Sequence, residues 1–283
     1  MLAGQPSRTL LGPAIRRAAH QLLDVPLIFR DPIAVGLVPE ASEEAIRSRA
    51  AEHQTQESLL LRSLFALRSR FAEDRLREAA SRGVRQYLIF GAGLDTFPWR
   101  QPDYARDMRI FLTDHVSTLI WTQVKFWERG LPKPSNVTFV PLDLEQGGTR
   151  EALAQSGFDP QAAAFCSMLG VTQYLERSSV EELLRFVASL GDGSEIVFSY
   201  VPHADDLARI DRQFAGAWAE RGAWLGEPWK TRFAMDELAA VLGHIGFADI
   251  VHLTPERAEQ VYFGSRQDGL RAPEWEQLIA AAT

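Results

Sequence analysis

Cysteine occurs once in the 283 residues, at Cys166, which leaves no partner for an intramolecular disulfide and no thiolate cluster for a metal. Such sparing use suits a reducing compartment, and a cytoplasmic location is expected. No apolar run is long enough to cross a bilayer. The opening stretch MLAGQPSRTLLGPAIRRAAHQLL also has no uninterrupted apolar core of signal-peptide length, so no membrane partner is expected. A surplus of positive charge is missing too. The formal net charge of −7 argues against a nucleic-acid partner, which would favour a basic face. Internal repeats and low-complexity tracts are absent. The composition, 46% hydrophobic and 24% charged, is that of a globular chain able to bury a large α/β core.

Periodicity divides the chain. Residues 1–82 read as an N-terminal helical cap: Leu10–Leu23 has helical spacing, and Ala41–Ala51 is rich in Ala, Glu and Arg. In Gln56–Ser81 the steps from Leu60 to Leu64, Leu67 and Phe71 make one apolar stripe, stopped by Gly83. Residues 83–283 then alternate short apolar runs with helical stretches. The runs are Gln86–Phe90, Arg109–Thr113, Val137–Leu142, Ala162–Cys166 and Ile196–Tyr200; the stretches are Ser117–Arg129, Thr149–Ser156 and Ser178–Leu190. That alternation predicts a parallel sheet with helices on both faces. A helical segment His203–Arg221, a helix Ala234–Ile245 and strand-like runs at Ile250–Leu253 and Gln260–Phe263 follow. Five parallel strands plus a terminal hairpin predict a Rossmann-like seven-stranded sheet, with residues 203–232 as a lid insertion.

In such a sheet, ligands bind beyond the carboxyl ends of the strands. The residues there are Gly91-Ala92-Gly93, Asp114, Asp143 and Ser167-Met168. Without a Cβ, Gly91 and Gly93 let the backbone turn tightly against a ligand. A dinucleotide fingerprint would need a third glycine at position 96, which is Thr96, so a nicotinamide cofactor is disfavoured. Asp114 can accept from both hydroxyls of a ribose, and Asp143 from an adenine amine. Each acid by itself could equally be a helix cap; together they favour a nucleoside ligand. Arg68 or Arg70 could grip a carboxylate bidentately, although Arg70–Asp74 at i,i+4 reads as well as a surface pair.

Arg68–Asp74, Ile89–Thr96 with Arg100, Thr113–His115, Pro141–Glu145, Leu169–Leu175, Gly226–Trp229 and Tyr262–Arg271 resemble, in that order, the leucine carboxyl methyltransferase-like family. Its members are class I S-adenosylmethionine-dependent methyltransferases, many acting as O-methyltransferases of polyketide or secondary metabolism. The resemblance runs from about Arg16 to Arg271. It implies S-adenosylmethionine as cofactor, its carboxylate held by Arg70 or Arg68, its methionyl part above Gly91, Ala92 and Gly93, its ribose on Asp114, and its adenine by Asp143 and Leu144. His115, Ser167 and Met168 complete the expected cofactor site. Two positions depart from the pattern. Leu169 stands where protein-methylating members carry an acid, and Val116 where many members have proline.

Methyl transfer from a sulfonium needs no metal or protein nucleophile, only alignment and exclusion of water. Tyr174, Tyr200 and His203 follow strands four and five and are the candidates to orient the acceptor or take its proton. Trp218, Trp224 and Trp229 could wall an apolar acceptor pocket. The expected activity is O-methylation of a small carboxylate or hydroxyl compound. Two other readings stand beside it, a cofactor-binding regulator without transferase activity and a protein C-terminal carboxyl methyltransferase.

Overall fold

The computed structural model describes residues 7–264 and 266–283; the first six residues of the expected cap, and Ser265 within Tyr262–Arg271, lie outside the described residues. Three helices come first, α1 (Leu11–Leu23), α2 (Glu43–Ser48) and α3 (Gln56–Ser81). The Thr55 hydroxyl accepts from the Ser58 N–H (3.3 Å) to start α3, and Gly83 at φ +100° ends it. Then β1 (Gln86–Phe90), α4 (Phe97–Arg100), β2 (Arg109–Asp114), α5 (Val116–Glu128) and β3 (Val137–Pro141) alternate. They are followed by α6 (Thr149–Gln155), β4 (Ala164–Met168), α7 (Arg177–Ala188), β5 (Glu195–Tyr200) and α8 (Arg209–Trp224). The chain continues through α9 (Met235–Ile245), β6 (Asp249–Leu253), α10 (Pro255–Ala258) and β7 (Gln277–Ala282).

The seven strands form one sheet in the order β3-β2-β1-β4-β5-β7-β6. Strands β1 to β5 pair in parallel, and β7 runs antiparallel to both β5 and β6. Successive strand side chains face opposite ways, and the core divides accordingly. Tyr87 and Ile89 pack with Leu67, Phe71 and Leu76 of α3 on one face. Leu88 and Phe90 pack with Val180, Leu183 and Leu184 of α7 and Leu238 of α9 on the other. The N-terminal helix α3 is thereby part of the sheet's own core. Buried Glu195 of β5 ties the two together, bonding Arg75 Nε (2.5 Å) and Arg82 Nη2 (2.7 Å) of the α3 region.

Two expected strand positions shift. Gln260–Phe263 is not a strand but a π-helical turn, Glu259–Phe263, that continues α10. The last strand is QLIAAA, an Ala-rich run whose extended state comes from pairing along both edges with β5 and β6. Strand β4 also extends to Met168, so Ser167 and Met168 are its last residues and face opposite sides.

A buried charge network fixes α1 to α3. Arg62, 1% exposed, holds Asp24 bidentately through Nε and Nη2, both at 2.9 Å. His20 Nδ1 donates to the same carboxylate (2.8 Å), while its Nε2 accepts from the Ile28 N–H (3.1 Å). Burial alone would raise the Asp24 pKa, but the bonds from His20 and Arg62 outweigh it and the net shift is downward. Asp24→Ala leaves Arg62 charged and unpaired, and should cost roughly 3–5 kcal/mol in denaturant unfolding. Because the folded pKa is depressed, the wild-type contribution is present above the ordinary carboxylate range and lost as pH falls through the lower folded value. The stability difference between wild type and variant should therefore shrink only in strong acid.

Candidate functional site

Strand order reverses between β1 and β4, and the loops that diverge there leave a cleft over the sheet's carboxyl ends. Gly91 and Gly93 both lie in the left-handed region, at φ +62° and +50°. A Cβ on Gly91 would meet Val171 Cγ2 at 2.4 Å, and one on Gly93 would meet Leu10 Cδ2 at 2.6 Å. Neither position admits a side chain, so backbone itself forms this part of the floor.

The turn is clamped by Asp114, whose Oδ2 accepts from the Gly93 N–H (2.9 Å) and whose Oδ1 accepts from the His115 N–H (2.7 Å). The Thr118 side chain bonds the same carboxylate, so about one of its four lone-pair sites remains for a hydroxyl donor. Burial raises the Asp114 pKa against the pull of those backbone N–H groups. Beyond it, a 300 Å³ cavity is lined by Asp114, His115, Asp143, Leu144 and Val171. Its outer rim is closed by Lys230 Nζ bonded to both oxygens of Glu145 (2.7 and 2.8 Å). A chamber whose lining combines the acceptors of Asp114 and Asp143 with the apolar Leu142, Leu144 and Val171 fits a nucleoside.

On the inner side of Gly91 the cleft is lined by Arg17, Arg68, Ala92, Ser167, Tyr174 and Glu276. Arg68, 8% exposed, lies so close to the Gly170 backbone that a Cβ there would sit 2.6 Å from Nη1. Its guanidinium pairs with Glu276, whose carboxylate is fully buried and has no other hydrogen-bond donor among the described residues. An arginine fork on a floor of bare glycine backbone fits an amino-acid carboxylate such as the methionyl end of S-adenosylmethionine. Tyr174 borders this chamber, the nucleoside chamber and a third cavity of 460 Å³. Burial pushes its pKa up, so the phenol is a neutral donor in the physiological range.

The remaining candidates divide between the cleft and other places. Arg70 does not line the cleft; its Nε donates to Asp74 (2.8 Å) and its guanidinium covers the Tyr262 ring, one helical step away from Arg68. Met168 points into the opposite core, among Phe90, Phe111 and Phe198. Tyr200 is buried in β5, its hydroxyl bonded to His252 Nε2 (2.6 Å) and Gln277 Oε1 (3.0 Å). His203 is half exposed at the surface beside Glu237. Of the three tryptophans, Trp218 and Trp229 face the cleft, whereas Trp224 is 79% exposed. Ser167 reaches the cleft floor while bonding Tyr87 (2.9 Å).

Sequence reasoning missed Arg17, Gln173, Trp275 and Glu276, all of which line the cleft. Arg17 was readable only as one of two adjacent arginines in α1. Trp275 and Glu276 come into place because β7 begins immediately after them, and that strand was the one misplaced.

Residues 10–188 match the leucine carboxyl methyltransferase family. YktD of Bacillus subtilis (strain 168), which carries the name of an S-adenosyl-L-methionine-dependent methyltransferase, is 30% identical, with the alignment covering 99% of each chain. A similarly named protein of Mycobacterium avium is 27% identical over 92% of this chain and 79% of its own. Among solved structures, a methyltransferase-type protein of Thermobifida fusca superposes with a TM-score of 0.61 at 16% identity, covering 100% of this chain and 96% of that one. A DUF574 family protein of Streptomyces avermitilis does so at 0.58 and 14%, covering 96% of each; these two likenesses bear on the fold alone. The chain belongs to the leucine carboxyl methyltransferase family. It is a methyltransferase whose cofactor is S-adenosylmethionine.

Asp114→Ala should weaken S-adenosylhomocysteine binding at least about tenfold, since a charge-assisted bond to a hydroxyl is lost together with the clamp on the Gly93 N–H. Calorimetry on a variant with an unchanged unfolding profile checks this, and an unaltered dissociation constant would remove Asp114 from the site. Nicotinamide adenine dinucleotide should not compete in the same titration.

Proposed function

We propose that the chain methylates oxygen on a small organic molecule, a carboxylate or hydroxyl compound of secondary metabolism, in the cytoplasm. The observation that carries this reading is Tyr174, a half-buried neutral phenol on the wall shared by the two cofactor-sized chambers and the 460 Å³ cavity. Bound S-adenosylmethionine supplies a methyl group already activated on a sulfonium. Asp114 would hold the ribose, Asp143 and Leu144 the adenine, and Arg68 with Arg17 the methionyl carboxylate.

The chain's own contribution is placement and exclusion of water. The Ser7 and Thr9 hydroxyls donate to Glu227 Oε2 (2.8 and 2.6 Å), drawing the N-terminal segment across the cleft to the loop after α8. Leu10 sits on Gly93, and Trp229 stacks on Trp275 with ring centroids 6.2 Å apart. This segment and the 203–232 region are read as a lid that desolvates the acceptor before attack. Tyr174 would donate to the acceptor oxygen and aim a lone pair at the methyl. No histidine lines the chambers around Tyr174 other than His115, whose Nδ1 is engaged with Ser117 Oγ (2.8 Å). An acceptor already ionised, such as a carboxylate, needs no base. Leu169, apolar where protein-methylating relatives are acidic, supports a small acceptor over a protein tail.

Tyr174→Phe should lower kcat while S-adenosylhomocysteine affinity stays within about twofold, because the lost contact belongs to the transition state. Mass spectrometry of a metabolite extract incubated with methyl-labelled cofactor should show a product carrying one added methyl. Methylation of peptide C-termini, with no small acid or alcohol turned over, would sink this reading.

A further inference from the structure

The 460 Å³ cavity beyond Tyr174 has on its lining two buried donors, Arg16 Nε and Trp218 Nε1, that find no acceptor among the described residues. Arg16 of α1 and Arg221 of α8 both face it, with Ile15, Trp121 and Leu225 forming its apolar wall. Among the described residues, neither guanidinium forms an ion pair; Arg16 Nε is buried and has no partner. Arg221 lies over the Trp218 ring, 5.8 Å from its centroid. The indole N–H of Trp218 is likewise buried without an acceptor. The cavity's hydroxyls are already committed, since Ser7 and Thr9 both donate to Glu227. Glu57, the one carboxylate on the lining, is exposed at the mouth.

Burial holds the Arg16 pKa below its ordinary value, and the charges of Arg221 and Arg62 push the same way against Glu57. Arg16, half-buried, and Arg221, exposed, are mutually repulsive, and burial leaves Arg16 poorly solvated. An anion between them would relieve both costs, and a guanidinium pair matches the two oxygens of a carboxylate.

We propose that this cavity is the acceptor's recognition subsite for a carboxylate, with Arg16 and Arg221 taking the anion and Trp218 Nε1 donating a further bond. The ligand class is a small organic acid with a flat apolar body, seated against Trp121, Ile15 and Leu225. The inference rests on the reading that a small molecule occupies the cleft, and it narrows that molecule's class.

The test is calorimetry on the full chain saturated with S-adenosylhomocysteine, using naphthalene-2-carboxylate and its neutral isostere 2-naphthamide as probes. The acid should bind at least about tenfold more tightly than the amide, the gain expected of a desolvated charge-assisted pair. In Arg16→Gln/Arg221→Gln the two probes should bind equally, with S-adenosylhomocysteine affinity within about twofold of wild type. Each single variant should weaken the acid and leave the amide unchanged, which keeps the test decisive if the double variant fails to fold. Equal or absent binding of the acid to wild type, or an acid preference that survives the double variant, would overturn the subsite. Loss of S-adenosylhomocysteine binding in the single variants would also overturn it, by placing the arginines in the cofactor site. If the acid preference stands while only peptides are methylated, the subsite holds and the small-molecule reading falls.

Discussion

The cleft depends on one steric constraint, the absence of room for a side chain where β1 leaves the sheet. At Gly91 and Gly93 the backbone takes left-handed φ and is covered within van der Waals reach by Val171 and Leu10. L-residues with a Cβ reach this conformation only at a cost, and here the Cβ would also have no space. Because the turn is that tight, the Gly93 N–H faces Asp114 at the end of the neighbouring strand and is fixed by it at 2.9 Å. The same turn borders both the Asp114 chamber and the Arg68 chamber, each of which Gly91 lines. One local constraint therefore sets how the two chambers lie next to each other.

The N-terminal helices complete the site because they belong to the same core. Helix α3 supplies Leu67 and Phe71 to the sheet face and, one residue on from Leu67, turns Arg68 toward the cleft. Residue spacing decides which arginine reaches the cleft. Arg70, two positions later, emerges on another side of the helix and pairs with Asp74. The buried Asp24–Arg62–His20 network holds α1 against α3. Arg16 and Arg17, on α1, are thus positioned by an ion pair that itself touches no ligand cavity.

Much of this was legible in the sequence. Strands β1 to β5 were readable because each is a short apolar run between helical periods, and the acids at the ends of β2 and β3 were readable because the strands were. Legibility failed where tertiary pairing decides the outcome. QLIAAA carries helix-favouring alanines and no alternation, yet lies between two strands and extends. Gln260–Phe263 has the aromatic and β-branched content of a strand and instead winds on from α10. Misplacing that strand hid Glu276, which no motif marks. Tyr200 and His203 were reasonable candidates by proximity to a strand end. The structure shows that proximity along the chain is not direction: the Tyr200 side chain turns inward to His252, and His203 turns outward to solvent.

Charge in this protein has to be read locally. The chain as a whole carries −7, yet Arg16, Arg17, Arg68 and Arg221 all face its cavities. At physiological ionic strength the screening length is about 8 Å, so the distant acids contribute little to the potential a ligand meets inside. Within the cleft, low polarity strengthens each remaining charge and makes an unpaired one costly. The Arg68–Glu276 pair meets that condition internally, since a buried cation without its carboxylate would be strongly destabilising. Among the described residues Arg16 and Arg221 form no ion pair, and the acid on their cavity's lining is Glu57, whose charge favours the Arg16 cation. The fold neutralises Arg62 with Asp24 and Arg68 with Glu276 but sets Arg16 and Arg221 on a cavity whose one lining carboxylate is the exposed Glu57, and the proposed anion would complete that balance.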